Sequence, residues 1–171
     1  MRAPAENSGE IITLNSAGPP VTTPRYKHPD NAATSSGPRV AVGDVSGDGV
    51  DDIVVAPASG AAKVFMYSGA GFATKQSFFI AGSIVNPSVA VAPSQPGRDA
   101  RVVIGYGPTN APIVNVFNGT TGVAMSSFYA FDPSFTGGVN VAAGDVSGDG
   151  IADIVAGQAT GGGIVRVFDG V

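Results

Sequence analysis

The sequence contains no cysteine and no tryptophan, one histidine (His28) and two glutamates, Glu6 and Glu10. Without cysteine there is neither a disulfide nor a thiolate zinc site. With one histidine and scattered turn aspartates (Asp30, Asp99, Asp132 and Asp169), the nucleophile, base and partner that catalysis requires are missing, so no enzyme is expected. The nine lysines and arginines are spread along the chain rather than gathered into a basic track, which argues against nucleic acid as a partner. No apolar run approaches the roughly 18 residues needed to cross a bilayer, so membrane insertion is not expected. Residues 1–10 carry no signal peptide, and the chain reads as an excerpt or a processed form of a longer protein. Helical apolar spacing is absent, because glycine or proline interrupts every candidate segment.

What is abundant is glycine (25 residues), proline (13 residues) and short runs of valine, isoleucine and alanine, in a chain that is 43% hydrophobic and only 13% charged. That combination predicts an all-β, turn-rich fold rather than disorder. A unit of about fifty residues recurs three times: VAVGDVSGDGVDDIVVAP from residue 40, VAVAPSQPGRDARVVIGYG from residue 89 and VAAGDVSGDGIADIVAGQ from residue 141. Each start is followed by a strand-like segment closed by glycine: AKVFMYSG, IVNVFNG and IVRVFDG. The first two units add an aromatic segment, Ser77-Phe78-Phe79 and Ser127-Phe128-Tyr129, whose rings are expected to pack between units. Ahead of the first unit, residues 10–15 resemble the third strand of a unit and residues 21–28 a fourth, although Pro24 interrupts the latter. The expected divisions are an N-terminal tail and half-unit (1–39), a complete unit with an acidic loop (40–88), one with a degenerate loop (89–140), and an incomplete one with an acidic loop (141–171). Such a period suits a partial β-propeller of about three four-stranded antiparallel blades.

Seven of the thirteen acidic residues sit in two nearly identical loops, DVSGDGVDD at 44–52 and DVSGDGIAD at 145–153. Oxygen-bearing side chains at positions one, three, five and nine, with glycine at six, match the needs of a hard cation that takes six to eight oxygens. The candidate ligands are Asp44, Ser46, Asp48, the Val50 carbonyl and Asp52 in one loop, and Asp145, Ser147, Asp149, the Ile151 carbonyl and Asp153 in the other. Three carboxylates per loop and a flexible turn favour Ca2+ (two sites) over magnesium, in a structural role. An EF-hand would need glutamate at position twelve, where this chain has Val55 and Ala156. Asp51, whose counterpart is Ala152, is expected to be a solvated bystander, and His28 a surface residue. Asn118-Gly119-Thr120 matches a glycosylation sequon and equally a hairpin turn. The middle loop has Pro93, Gln95, Gly97 and Arg101 at the corresponding places. It is expected to bind no ion, with Arg98 and Arg101 offering donors to the carbonyls of their own turn instead.

The pattern GDVSGDGxxD followed by an apolar strand resembles the calcium-binding FG-GAP or VCBS-like repeat of integrin alpha-subunit propellers and many bacterial exported proteins. Val55-Ala56-Pro57 and Ala156-Gly157-Gln158 are loose echoes of the elements that name the repeat. The resemblance implies a calcium-stabilised β-propeller module of an exported, extracellular or cell-surface protein, serving adhesion or protein-protein interaction. It leaves a carbohydrate-binding propeller, or an accessory module of a larger secreted enzyme, as alternatives. The partner is a protein or glycan ligand, and three and a quarter units are too few to close a ring, so a homo-oligomer that closes the propeller is also expected.

Overall fold

β-Branched side chains pack well on a pleated surface and lose little freedom there, and the glycine-rich breaks between their runs turn the chain back on itself. The computed structural model describes residues 10–11, 26–27, 37–58, 61–67, 74–83 and 85–170; for 10–11, 26–27, 61–67 and 74–83 it describes backbone, together with the Met66 side chain. His28, Glu6 and Asp30 lie outside the described residues, as do the side chains of Phe78 and Phe79. All regular structure among the described residues is β, and every pairing is antiparallel. Strands β1 (Glu10–Ile11) and β2 (Tyr26–Lys27) pair with each other. The first sheet runs in chain order through β3 (Arg39–Gly43), β4 (Asp52–Ala56), β5 (Ala61–Tyr67) and β6 (Thr74–Ser83). The second does the same with β7 (Ser88–Ala92), β8 (Arg101–Gly105), β9 (Ile113–Asn118) and β10 (Ala124–Tyr129). The third has β11 (Val139–Gly144), β12 (Asp153–Gln158) and β13 (Val165–Phe168). The sheets are open, and of the segments 10–15 and 21–28 expected to resemble a third and fourth strand, the described parts, β1 and β2, pair with each other.

Register is common to the three sheets. Gly43 lies opposite Asp52, Ala92 opposite Arg101, and Gly144 opposite Asp153, so each loop leaves and re-enters its hairpin at the same rung. Side chains of a strand alternate between its two faces. In β8, Val102 and Ile104 therefore face the first sheet, joining Val54, Ala56 and Met66, while Val103 faces the third, joining Val139, Ile154 and Ala156. Strand β8 is thus buried on both sides, which explains the uninterrupted apolar run Val102-Val103-Ile104, each 0% exposed. Full burial of such a side chain is worth about 1.5–3 kcal/mol.

The strands that open the sheets adjoin one another, β3 against β7 and β7 against β11. Ser88 Oγ donates to the Val139 carbonyl (2.7 Å) and accepts from the Val141 N–H (3.1 Å), sewing β7 to β11. Gly105, opposite Ser88, leaves room for this contact. A Cβ there would stand 2.6 Å from Ser88 Oγ and from the Val139 carbonyl oxygen, and 2.9 Å from Val141 Cγ1. Gly105→Ala is accordingly expected to destabilise the fold by about 1–3 kcal/mol, measured as a lower urea midpoint; Gly163→Ala, where a Cβ meets nothing within 4 Å, serves as the neutral control.

Candidate metal centres

Each acidic loop is organised by its first and ninth residues. Asp44 Oδ1 accepts N–H bonds from Gly47 (2.7 Å) and Asp48 (3.2 Å), and Oδ2 accepts one from Gly49 (2.9 Å). The chain wraps around this carboxylate, and it does so by taking left-handed backbone at Gly47 (φ 75°) and Gly49 (φ 82°). Only glycine adopts that conformation without strain. Asp48 Oδ1 accepts the Val50 N–H at 2.9 Å, a local aspartate turn. Burial pushes the Asp44 carboxyl up, but the bonds from Gly49, Gly47 and Asp48 outweigh it and hold it below the usual carboxylate range.

The third-sheet loop repeats the design. Asp145 accepts from Gly148 (2.6 Å) and Gly150 (2.9 Å), Asp149 from Ile151 (2.7 Å), and Gly148 and Gly150 have φ of 81° and 85°. Ser46 and Ser147 direct their hydroxyls at Oδ1 of Asp44 and Asp145, at 3.4 and 3.5 Å. Positions one and three are thus together in both loops. Asp51 is exposed, as its solvated role requires.

Position nine is placed differently from an outer ligand. Among the described residues, Asp52 and Asp153 are the buried charged ones, each 0% exposed. Asp52 Oδ2 accepts the N–H groups of Val45 (3.2 Å) and Ser46 (3.1 Å). Asp153 Oδ2 accepts those of Val146 (3.0 Å) and Ser147 (2.9 Å), and its Oδ1 accepts the Gly170 N–H (3.1 Å). These carboxylates splice the start of each loop to the strand that follows it. Burial raises the Asp153 carboxyl, and the bonds from Gly170, Val146 and Ser147 more than compensate, leaving it lowered.

The donor set is all oxygen, the chemistry a calcium ion takes. Among the described residues no three of His, Cys, Asp and Glu stand grouped as a metal-holding cluster. Asp145 Oδ2 accepts one N–H, from Gly150, and an ionised carboxylate oxygen has room for a second partner. The residues thus fit a hard cation in kind, with the position-one carboxylates already wrapped by backbone.

The middle loop corrects one expectation. Gln95 and Arg98 exchange backbone bonds (3.1 and 2.8 Å) around Pro96-Gly97, with Gly97 at φ 78°, so the turn is closed by its own backbone. The guanidinium groups do not serve their own turn. Arg101 donates to the Ala152 carbonyl (2.6 Å) and the Gly170 carbonyl (3.1 Å) of the third sheet, and Arg98 also reaches Gly170 (3.1 Å). The equivalent carbonyl in its own unit, Ala100, accepts the Gly119 N–H (2.7 Å). Arg166 crosses in the opposite direction, donating to Ala130 (3.0 Å) and lying 5.6 Å over the Phe131 ring. The first junction is lighter, with Ser94 N–H on the Asp44 carbonyl (3.4 Å) and Thr120 Oγ1 on the Val45 carbonyl (3.4 Å).

Three features escape inspection of the loops alone: glycine at position four, the inward position-nine carboxylate, and Gly170. A Cβ at Gly170 would stand 2.1 Å from the Ala152 carbonyl oxygen. The glycine that closes all three strand-like segments was the available signal. Between the second and third sheets lies a groove of about 630 Å3 bordered by Arg98, Arg101, Met125, Phe128, Ile154 and Phe168. Phe128 and Phe168 meet across it with ring centroids 4.7 Å apart and planes tilted by 50°, so Phe128 packs between sheets as expected, while Tyr129 is exposed. Asn118 serves its hairpin turn, accepting the Thr121 N–H (2.8 Å) and donating to Asp99 (2.8 Å).

Two measurements follow from these contacts. Arg101→Met is expected to lower unfolding free energy by about 1–3 kcal/mol in urea titration, and Arg101→Lys to recover only part of it, since one ammonium cannot span two carbonyls as a planar fork does. In chelator, the lowered carboxyls of Asp44 and Asp153 contribute stability above the unfolded value of 3.8, and this is lost as pH falls through their folded values. The melting temperature is therefore expected to drop on acidification below about pH 4, less steeply in Asp153→Asn. No protein-family model matches the chain, and no curated protein matches it.

Proposed function

We propose that this chain is a calcium-stabilised β-propeller repeat module of an exported or cell-surface protein, acting through adhesion or protein-protein contact rather than catalysis. The observation that carries this reading is the duplicated loop. Two nine-residue segments 101 positions apart share oxygen donors at the same places, the same glycine φ values and the same carboxylate-to-backbone bonds. A period of about fifty residues, delivered as consecutive up-and-down sheets with adjoining first strands, supports the propeller reading. Strands ordered by chain sequence and stacked face to face leave the hairpin loops along common ends, where a ligand surface would form.

Calcium would be held by Asp44, Ser46, Asp48 and the Val50 carbonyl, with Asp52 behind them, and by Asp145, Ser147, Asp149, the Ile151 carbonyl and Asp153 in the second site. When bound, the ion neutralises clustered carboxylates and fixes the hairpin tips. This chain's own residues supply the rest: Asp52 and Asp153 hold the loop base, and the paired glycines let the turn close. Since the middle loop carries Pro93, Gly97 and Arg101 in place of the three acids, its rigidity would not depend on the ion.

Ligand that binds only the folded state, at about one hundred times its dissociation constant, stabilises by about 2.7 kcal/mol per site. Removing calcium with a chelator is therefore expected to lower the melting temperature by on the order of 10 °C for two sites. Asp48→Ala combined with Asp149→Ala should erase the difference. Superimposable melting curves with and without chelator in the parent chain would sink the reading.

A further inference from the structure

The first acidic loop is built into the junction between the first and second sheets. Its position-two side chain, Val45, is 2% exposed and belongs to a core cluster that joins Val54 and Met66 of the first sheet to Ala100 and Phe117 of the second. Its backbone is met from the second sheet as well. The Asp44 carbonyl accepts the Ser94 N–H at 3.4 Å, and the Val45 carbonyl accepts the Thr120 hydroxyl at 3.4 Å. Gly119 comes so close that a Cβ on it would stand 3.1 Å from the Val45 carbonyl oxygen.

One contact reaches a candidate ligand itself. Ser94 Oγ, in the loop of the second sheet, donates at 3.5 Å to Oδ2 of the position-one carboxylate, Asp44. The same hydroxyl stands 3.8 Å from where a Cβ on Gly47 would lie, so it borders the turn that wraps this carboxylate. Asp44 Oδ1 accepts from Gly47 and Asp48, and Oδ2 from Gly49 at 2.9 Å. The Ser94 contact is the longer of the two on Oδ2, so it aims that oxygen without saturating it. Position two is valine in both acidic loops and serine in the middle one. The unit ahead of Ser94 carries Asp44 at position one, whereas the unit ahead of Val146 carries Pro93, which has no carboxylate to meet.

We infer that Ser94 is a positioning residue of the first cation site, so that the second sheet completes this site and filling it is coupled to the docking of that sheet. The inference rests on the calcium reading above and deepens it: Asp44, Ser46, Asp48, the Val50 carbonyl and Asp52 supply the oxygens, and Ser94 fixes the direction of one of them from outside the loop. Groups that orient a ligand carboxylate are generally worth about 10–100-fold in metal affinity. Coupling of this kind is reciprocal, so a site improved by the second sheet also holds that sheet in place when filled. The two junctions are then fastened by different means. The second uses Arg98 and Arg101 on the Ala152 and Gly170 carbonyls, and the first uses a loop that the ion fixes.

The test is a calorimetric calcium titration of the 171-residue chain carrying Asp149→Ala, which silences the second loop and leaves the first. In that background Ser94→Thr and Ser94→Val introduce side chains of one shape, with and without a hydroxyl, so that any packing cost is common to both. The threonine variant is expected to bind calcium within about twofold of its parent and the valine variant about tenfold more weakly, while their melting temperatures in chelator coincide. Amide exchange at Ser94 in the unsubstituted chain should slow when calcium is added, and should be indifferent to calcium in Asp48→Ala. Equal affinities for the threonine and valine variants, or a Ser94 amide that ignores calcium in a chain that binds it, overturn the inference and leave the calcium reading standing. Absence of calcium binding by the Asp149→Ala chain overturns both.

Discussion

A carboxylate sealed from water at the foot of each acidic hairpin is the constraint on which the loops depend. Asp52 and Asp153 are fully buried, and an ionised acid tolerates that only when its oxygens are met by donors. The donors come from the second and third residues of the same loop, and for Asp153 also from Gly170 at the end of the neighbouring strand. One side chain therefore settles where the loop begins, where the next strand starts and where the third strand ends. Only after that is the position-one aspartate left free to gather the loop tip around itself.

The middle repeat shows what replaces that constraint. With arginine at the ninth position, the side chain is only half-buried and a loop of the same length closes as a turn around Pro96-Gly97. Burial and the nearby Arg98 lower the Arg101 value, and the Asp153 charge acts in the opposite direction. The guanidinium lands on Ala152 and Gly170, the two residues that flank the buried carboxylate network of the third sheet. The second and third sheets are consequently joined by apolar packing, by the Arg98 and Arg101 contacts and by Arg166 returning to Ala130. The first and second sheets rely on apolar packing with lighter polar contacts from Ser94 and Thr120.

Much of this was legible in the chain. The short apolar runs VAVG, VAVA and VAAG mark the opening strands, and the register that places Gly43, Ala92 and Gly144 at the same rung follows from aligning the loops. Strand lengths were less legible: a three-residue aromatic match stood for β6, which spans ten residues, because β-propensity says little about where pairing stops. The inward turn of Asp52 and Asp153 was not legible, since the same residue at the same spacing serves equally as an outward ligand and as a backbone acceptor. Nor was the reach of Arg101, because the distance between repeats is a property of packed sheets and leaves no trace in local spacing. Glycine at position four was visible but unread; its φ near 75–81° in both loops explains its presence.

Ser88 has an effect beyond its two hydrogen bonds. A strand margin whose amide and carbonyl groups lack partners is a template for templated fibrous stacking. Along β11, the Val139 amide goes to Tyr106, and the Val139 carbonyl and Val141 amide go to Ser88. The hydroxyl thereby occupies the rungs onto which a foreign polypeptide would zip, and a single small side chain shields this margin from amyloid-like recruitment.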